Sequence, residues 1–195
     1  MEHFFQKGSN DRQLVVAFHG TGGNEYQLLT TVARLYPEAS ILSYAGTHTS
    51  GSTRRFFAPL QNGQLDRTSF NQAVDTFLTN VWEQPSFEEI ILIGYSNGAN
   101  FILGLLEKNP QIANTVILLH PNDLVYQFEA PQHPVHVILT TGAQDTQSVP
   151  GEILRLAQQL EQTFTVTYLL VDGTHGLTEH EVEDISNVLK KNEVR

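Results

Sequence analysis

Residues 89–98 read Glu-Ile-Ile-Leu-Ile-Gly-Tyr-Ser-Asn-Gly, and a segment with helical periodicity, Ala99–Lys108, follows directly. The apolar run Ile90–Ile93 predicts a buried strand. Gly94-Tyr95-Ser96-Asn97-Gly98 matches G-x-S-x-G, a motif that places a serine on a tight turn between a strand and a helix. Bulky side chains at either glycine would collide with the neighbouring backbone of such a turn. Ser96 is therefore the candidate nucleophile, at the carboxyl end of a strand.

Short apolar runs alternate with helical segments along most of the chain, which is typical of parallel βαβ units. The predicted strands are Gln13–Phe18, Ala39–Ser43, Glu89–Gly94, Thr115–Leu119, Val135–Thr140 and Thr165–Val171. The predicted helices are Glu25–Leu35, Thr68–Glu83, Asn97–Lys108, Pro150–Glu161 and Glu179–Lys190. We therefore expect one α/β domain over residues 1–195, with a parallel-dominated sheet of about six or seven strands. Residues 44–67 do not alternate in this way. A loop of this length is typically a functional cover over a site, and a plain surface excursion is the alternative.

Composition limits the classes of function. The chain has 11 Lys+Arg against 21 Asp+Glu, a formal charge of −10, which disfavours nucleic acid as a partner. It has no cysteine, which excludes disulfides, thiolate metal sites and a cysteine nucleophile. No apolar run approaches the roughly 20 residues that span a bilayer, and none at the N-terminus has signal-peptide length. We expect a cytoplasmic protein without a membrane span.

A serine hydroxyl needs a base that removes its proton, and the chain offers eight histidines. His175 is the candidate, because it lies in the glycine-flanked loop Val171–Gly176, directly after the last predicted strand, and can reach back toward Ser96. His180 lies in the same region, but the first turn of the final helix gives it less reach. A surface or structural role is expected for four others, His3, His48, His133 and His136.

The third group of such a site must fix the tautomer of the imidazole and stabilise its positive charge. Asp145 follows the fifth predicted strand, at the carboxyl end where open α/β sheets gather their sites. Asp123 and Asp172 are competitors, and a solvated loop aspartate is the alternative for all three. The chain order Ser96, Asp145, His175 is that of hydrolases with a G-x-S-x-G turn, and differs from the orders in chymotrypsin and subtilisin.

Acyl transfer also needs two N–H donors aimed at the developing oxyanion. One candidate is the backbone N–H of Asn97, the residue after Ser96. The other should come from the loop after the first predicted strand, His19-Gly20-Thr21-Gly22-Gly23-Asn24, in which Thr21 is best placed. A phosphate-binding turn is the competing interpretation of this glycine cluster. It ranks low, because neither a Walker lysine nor the G-x-G-x-x-G spacing is present.

Together these motifs resemble the phospholipase/carboxylesterase family of α/β-hydrolases, which includes acyl-protein thioesterases. The resemblance covers nearly the whole chain and rests on four segments, His19–Gly23, Gly94–Gly98, Gly142–Pro150 and His175–Thr178. Arg55-Phe56-Phe57 is similar to a segment of a bacterial carboxylesterase subgroup. The resemblance implies a parallel-dominated sheet with helices on both faces and a reduced cap. It also implies a triad and two oxyanion donors at the positions derived above, Ser96, Asp145, His175, Thr21 and Asn97.

By resemblance the chain is a serine carboxylesterase, which hydrolyses carboxylic esters or thioesters through an acyl-enzyme intermediate, without a metal or organic cofactor. The implied partner is a small-molecule ester, and a homodimer is a candidate assembly. Tyr44, Phe56 and Phe57 are candidates for an apolar acyl pocket, with simple core packing as an equal alternative. The pair Arg54-Arg55 is interpreted as a solvated surface pair, with contact to an anionic substrate as the alternative.

Two other functions stay open at this point. The same fold could serve a cofactorless peroxidase-like or carbon–carbon hydrolase, which would not act on acyl esters. It could also serve a non-catalytic receptor for a small ligand, with Ser96 and His175 as hydrogen-bond partners. A complete set of three catalytic groups argues against the receptor.

Overall fold

The computed structural model describes residues 1–83 and 85–193, with the backbone alone for residues 192 and 193. Its strands are β1 (His3–Gln6), β2 (Asn10–Phe18), β3 (Ala39–Tyr44), β4 (His48–Ser50), β5 (Thr53–Arg55), β6 (Glu89–Tyr95), β7 (Thr115–Leu119), β8 (His136–Gly142) and β9 (Thr165–Val171). Its helices are α1 (Leu29–Leu35), α2 (Arg67–Asn80), α3 (Asn97–Lys108), α4 (Pro150–Leu160) and α5 (Glu179–Glu193).

Seven strands form one sheet in the order β1-β3-β2-β6-β7-β8-β9. All neighbours pair in parallel except β1, which runs antiparallel to β3 at the edge. The central strands β6 and β7, and β2 from Leu14 onward, are buried on both faces, which explains their nearly continuous apolar sequence. The prediction of a parallel-dominated sheet of six or seven strands is confirmed.

Helices cover both faces of the sheet, as expected. On one face, side chains such as Phe18 and Leu92 pack with α2, α3 and α4 in one apolar cluster. On the other face, Val15 and Ile93 pack with α1 and α5 in a second cluster. The alternation arises because successive residues of a strand point to opposite sides. Among the described residues, no helix is long and apolar enough to cross a membrane.

The structure corrects several predicted boundaries. Strand β1 was not predicted, because its four residues are mostly exposed and carry no continuous apolar run. The first helix begins at Leu29 rather than Glu25, because residues 20–27 form turns held by hydrogen bonds such as Gln27 N–H to the Asn24 carbonyl. Residues 44–67, which the sequence predicts as a loop, contain a short hairpin, β4–β5.

Candidate active site

Ser96 lies between β6 and α3 in a strained backbone conformation, with φ 50° and ψ −106°. A positive φ is uncommon for a residue that carries a side chain, and it costs free energy that surrounding contacts must offset. One such contact is the hydrogen bond from the Ser96 N–H to the Leu119 carbonyl, 2.8 Å, at the end of β7. The turn predicted from G-x-S-x-G is present, and it presents Ser96 at the carboxyl ends of the strands.

The two glycines of the motif are required by close backbone approach rather than by unusual dihedral angles. A Cβ atom at Gly98 would lie 2.1 Å from the carbonyl oxygen of Phe18, because α3 begins directly against the end of β2. A Cβ atom at Gly94 would lie 2.6 Å from the carbonyl carbon of Gly98. Any side chain at these positions would therefore push α3 away from the sheet and displace Ser96.

The structure brings the three predicted catalytic side chains into one hydrogen-bonded row. His175, after β9, has Nε2 2.9 Å from Ser96 Oγ and Nδ1 2.8 Å from Asp145 Oδ2. Asp145 follows β8, so all three side chains come from the carboxyl ends of parallel strands. The Asp145 side chain is fully buried, whereas that of His175 is 17% exposed, which leaves the ring open toward Ser96 and solvent. Tyr95 restrains the loop that carries His175, because its hydroxyl donates to the His175 carbonyl at 2.8 Å.

Asp145 accepts hydrogen bonds at both carboxylate oxygens. Oδ1 accepts from the backbone N–H groups of Gln147 and Ser148, and Oδ2 faces Nδ1 of both His120 and His175 at 2.8 Å. Burial of the carboxyl group acts to raise its pKa, but these hydrogen bonds outweigh burial and lower the pKa of Asp145 below its ordinary value of 3.8. Asp145 is therefore a carboxylate at neutral pH.

The competing residues do not reach this row. Asp123 accepts a hydrogen bond from the N–H of Val125, two residues on, and Asp172 is exposed. His180 is also exposed, and its Nδ1 lies 3.4 Å from Glu183 on the same helix.

The two predicted oxyanion donors lie on different elements. Asn97 is the first residue of α3, whose N-terminal N–H groups and dipole favour negative charge. Thr21 lies in the loop after β2 and is exposed. Within the described part of the chain, neither backbone N–H donates to a protein acceptor. The end of the β4–β5 hairpin and the residue after it contact both donors. Arg55 Nη1 donates to Thr21 Oγ1 at 2.6 Å, and the N–H of Phe56, directly after β5, donates to Asn97 Oδ1 at 2.8 Å.

The three aromatic residues that are candidates for an acyl pocket are members of the apolar cluster that packs with α2, α3 and α4. Tyr44, Phe56 and Phe57 are 5%, 2% and 3% exposed. Phe56 stacks on Phe101 with ring centroids 5.2 Å apart, and Phe57 meets Phe70 edge-on at 4.8 Å. These contacts fix the segment that follows β5, and none of them involves the row of Ser96, His175 and Asp145.

Sequence reasoning did not single out two buried histidines near the site. His120 follows β7 with φ 50° and contacts both Asp145 and Glu181. His19 follows β2, and its Nε2 accepts a hydrogen bond from the Gly46 N–H at 2.9 Å. Burial of the ring has the largest effect on its pKa and lowers it below 6.5. Both follow predicted strands at their carboxyl ends, and that position was the available signal. Glu181 also contacts this site, and the local sequence around it shows only a helix-capping pattern, Thr178-x-x-Glu181.

His120, Asp145 and His175 could in principle hold a metal ion, since one ligand atom from each lies within 4.8 Å of the others. The same atoms already meet one another through hydrogen bonds of 2.8 Å. A metal ion would have to displace the protons of those bonds, so it would compete with the row that ends at Ser96.

Comparisons with known proteins agree with this geometry. The chain is 30% identical over 190 residues, 94% of both sequences, to MhqD of Bacillus subtilis strain 168, whose name describes a hydrolase. It is 30% identical over 117 residues to the esterase YpfH of Escherichia coli K12, over 54% of this chain and 50% of that one. The crystal structure of the Bacillus cereus carboxylesterase superposes with a TM-score of 0.87 at 31% identity, over 98% of this chain and 94% of the other. No family model matches the sequence.

The sheet order, the strained serine turn and these relatives define an α/β-hydrolase that acts on esters. The chain belongs to the phospholipase/carboxylesterase family of α/β-hydrolases, as the sequence motifs predicted.

Proposed function

We propose that this protein is a serine carboxylesterase that cleaves carboxylic esters or thioesters through an acyl-enzyme intermediate, with Ser96, His175 and Asp145 as its triad. The observation that carries the proposal is the row of hydrogen bonds from Asp145 Oδ2 through His175 to Ser96 Oγ, 2.8 Å and 2.9 Å long. These lengths suit proton transfer between the hydroxyl and the imidazole.

In the first half of the reaction, Ser96 Oγ attacks the carbonyl carbon of the ester while His175 Nε2 takes its proton. Asp145 stays ionised and stabilises the imidazolium, because His175 Nδ1 donates to its carboxylate. The backbone N–H groups of Thr21 and Asn97 bind the oxyanion of the tetrahedral intermediate. His175 then gives its proton to the leaving alcohol or thiol, and an acyl group remains on Ser96.

The second half repeats these steps with water. His175 takes a proton from a water molecule, which attacks the acyl carbon, and the second tetrahedral intermediate is bound by the same two N–H groups. The proton returns to Ser96 Oγ as the acid leaves. This chain of steps needs no cofactor, and His175 acts first as base and then as acid in each half.

We propose a small-molecule ester as the substrate, since Thr21 is exposed and His175 partly so at the open side of the site. We propose residues 44–67 as a cover over one side of the site, supported by the hydrogen bonds from Arg55 to Thr21 and from Phe56 to Asn97. A cytoplasmic location, a homodimer and a single domain over residues 1–195 complete this proposal.

The test is hydrolysis of p-nitrophenyl esters of short and medium acyl chains by wild type, Ser96→Ala and Ser86→Ala. Ser86 is an exposed loop serine before β6 and serves as the matched control. We expect Ser96→Ala to lower kcat by several orders of magnitude, and Ser86→Ala to keep the wild-type rate. Folded wild-type protein that is inactive on every ester would reject the proposal and favour a carbon–carbon hydrolase or a receptor.

A further inference from the structure

Behind Asp145 lies a buried pair, His120 and Glu181, that the proposed triad does not use. His120 Nδ1 lies 2.8 Å from Asp145 Oδ2, and His120 Nε2 lies 3.1 Å from Glu181 Oε2. The three side chains are 0% exposed. A continuous row of contacts therefore runs from Glu181 through His120, Asp145 and His175 to Ser96.

Counting protons shows that this arrangement holds one more proton than a neutral imidazole supplies. A neutral histidine has one ring N–H and one bare nitrogen, and a carboxylate has no proton to donate. Two short contacts at once therefore require that His120 is an imidazolium or that one carboxyl group is protonated. Two buried carboxylates beside a neutral ring would leave one contact between two acceptors, which is unfavourable in a site away from water.

The surroundings favour the proton on His120. Burial of the ring opposes a positive charge, but hydrogen bonds and charges from Glu181 and then Asp145 outweigh it and raise the pKa of His120 above 6.5. The other titratable groups near the ring are His175 and Tyr95, whose ring centroids lie 5.4 Å and 6.0 Å away. Within the part of the chain that the structure describes, no lysine or arginine pairs with Asp145 or Glu181.

A capping role alone does not account for Glu181. Its N–H donates to Thr178 Oγ1 at 3.2 Å, and its Oε2 accepts from the Thr178 N–H at 3.5 Å, the two bonds of a capping box at the start of α5. Glutamine fulfils this role as well as glutamate does. The helix cap therefore does not require a carboxyl group at this buried position, and His120 is the side chain that this carboxyl group contacts.

We infer that Glu181 and His120 are positioning residues for the hydrolysis proposed above: Glu181 keeps His120 protonated, and His120 holds Asp145 as a fixed carboxylate. Asp145 Oδ2 then receives a charge-assisted hydrogen bond from behind, in addition to the one from His175. This second bond restrains the oxygen that orients His175. The inference depends on the proposed function only for its effect on turnover, because the protonation of His120 exists without substrate.

The direct test measures the protonation of His120 by ¹⁵N NMR of protein labelled in its histidine rings, with His120→Gln to assign the signals. At pH 6, below the raised pKa of His120, we expect both ring nitrogens of His120 to carry protons in wild type. Glu181→Gln should convert the ring to a neutral form with one bare nitrogen. Glu183→Gln, an exposed position on the same helix, should leave His120 as in wild type.

The kinetic test uses the same variants, after thermal unfolding has shown that they are folded. Glu181→Gln keeps the capping box and the side-chain volume, so we expect kcat to fall about tenfold with KM within about twofold, as for partners that orient a catalytic group from behind. Glu183→Gln should stay at the wild-type kcat. The ratio of wild-type to Glu181→Gln kcat should shrink at alkaline pH, because wild type then loses the proton of His120 too.

A bare nitrogen on His120 in wild type at pH 6 would overturn the inference, and so would a Glu181→Gln variant whose kcat matches that of Glu183→Gln at every pH. Failure of the hydrolase proposal looks different. In that case wild type and Ser96→Ala are equally inactive on esters, while the NMR signals of His120 still report whether Glu181 holds its proton.

Discussion

On one side of Ser96, the side chains of His120, Asp145 and Glu181 are fully buried and bonded to one another, whereas on the other side Thr21 is exposed and Arg55 is half-buried. We call the first of these the buried acid side. It contains titratable groups, and each of their short contacts is to another titratable group or to a backbone N–H. The open side consists of a loop and a hairpin that meet through single hydrogen bonds.

This difference indicates which part of the site can vary. Removing one member of a buried charged set leaves its partner unpaired at high cost in free energy. On the open side solvent can replace a lost partner, so a change there should cost little. We therefore expect large, coupled effects of mutation around Asp145 and small, separable effects around Thr21.

The largest expected effect is that of Asp145→Asn. The amide can take two orientations, and each places its NH2 group against other donors. With nitrogen at the position of Oδ2, the NH2 faces the ring nitrogens of His120 and His175. With nitrogen at the position of Oδ1, it faces the backbone N–H groups of Gln147 and Ser148. We expect kcat on p-nitrophenyl esters to fall by about 10⁴-fold, as when the acid of a triad becomes an amide. Asp123→Asn is the matched control and should keep its activity. Equal activity of the two variants would contradict the assignment of Asp145.

Gly98→Ala should damage the fold and the site together. The added Cβ would lie 2.1 Å from the Phe18 carbonyl oxygen, and backbone cannot move aside as a side chain can. We expect a loss of about 3 kcal/mol in the free energy of unfolding, the upper part of the range for overpacking, and a large loss of kcat. Urea unfolding measures the first effect. Gly151→Ala is the control, since its Cβ would meet nothing within 4 Å.

The buried acid side should also give the stability a dependence on pH. The folded-state pKa of His120 is raised above 6.5, so its stabilising contribution is complete below pH 6.5 and is lost as the pH rises through the raised value. The folded-state pKa of Asp145 is lowered below 3.8. Its stabilising contribution is therefore present above pH 3.8 and is lost as the pH falls through the lowered pKa.

Melting temperatures of wild type and His120→Gln between pH 5 and 10 measure the first of these contributions. We expect the difference between the two proteins to be largest at acidic to neutral pH and to shrink as the pH rises. A difference that stays constant over this range would show that His120 does not change its charge there.

The smallest expected effect belongs to the open side. Arg54 pairs with Glu2 at 2.6 Å, as a surface cation does, whereas Arg55 lies over the Phe57 ring and has no carboxylate partner among the described residues. Arg55→Gln removes the hydrogen bond to Thr21 Oγ1, so we expect kcat to fall about fivefold, equivalent to about 1 kcal/mol. Arg54→Gln should change it less. A hundredfold or greater loss of kcat for Arg55→Gln would mean that residues on the open side are coupled to catalysis as strongly as those on the acid side.

The same contrast explains what the sequence could and could not predict. Strands β7 and β9 and helix α3 were predicted with the observed bounds, because their apolar and β-branched runs and the residues that end them are neighbours in the sequence. Ser96 stands in a local motif, and His175 and Asp145 follow strands in the expected order. These three positions therefore required no knowledge of distant contacts.

The contacts of His120 and Glu181 could not be predicted in this way, since the two residues are 61 positions apart and meet only because β7 and α5 converge at one end of the sheet. The local pattern around Glu181, Thr178-x-x-Glu181, indicates only a helix cap and gives no sign of the contact with His120. Likewise Phe56 and Phe57 are aromatic, and aromatic residues occur both in apolar pockets and in cores. Only their contacts with Phe101 and Phe70 show that they pack in the core.

The central claim, that Ser96 carries the acyl group, is tested most directly by mass spectrometry of protein quenched within milliseconds of mixing with p-nitrophenyl acetate. We predict one acetyl group per chain, located by peptide mapping on Ser96 and missing in Ser96→Ala, together with release of one equivalent of p-nitrophenolate before steady turnover. An acetyl group on another residue, or turnover that persists in Ser96→Ala, would contradict the account.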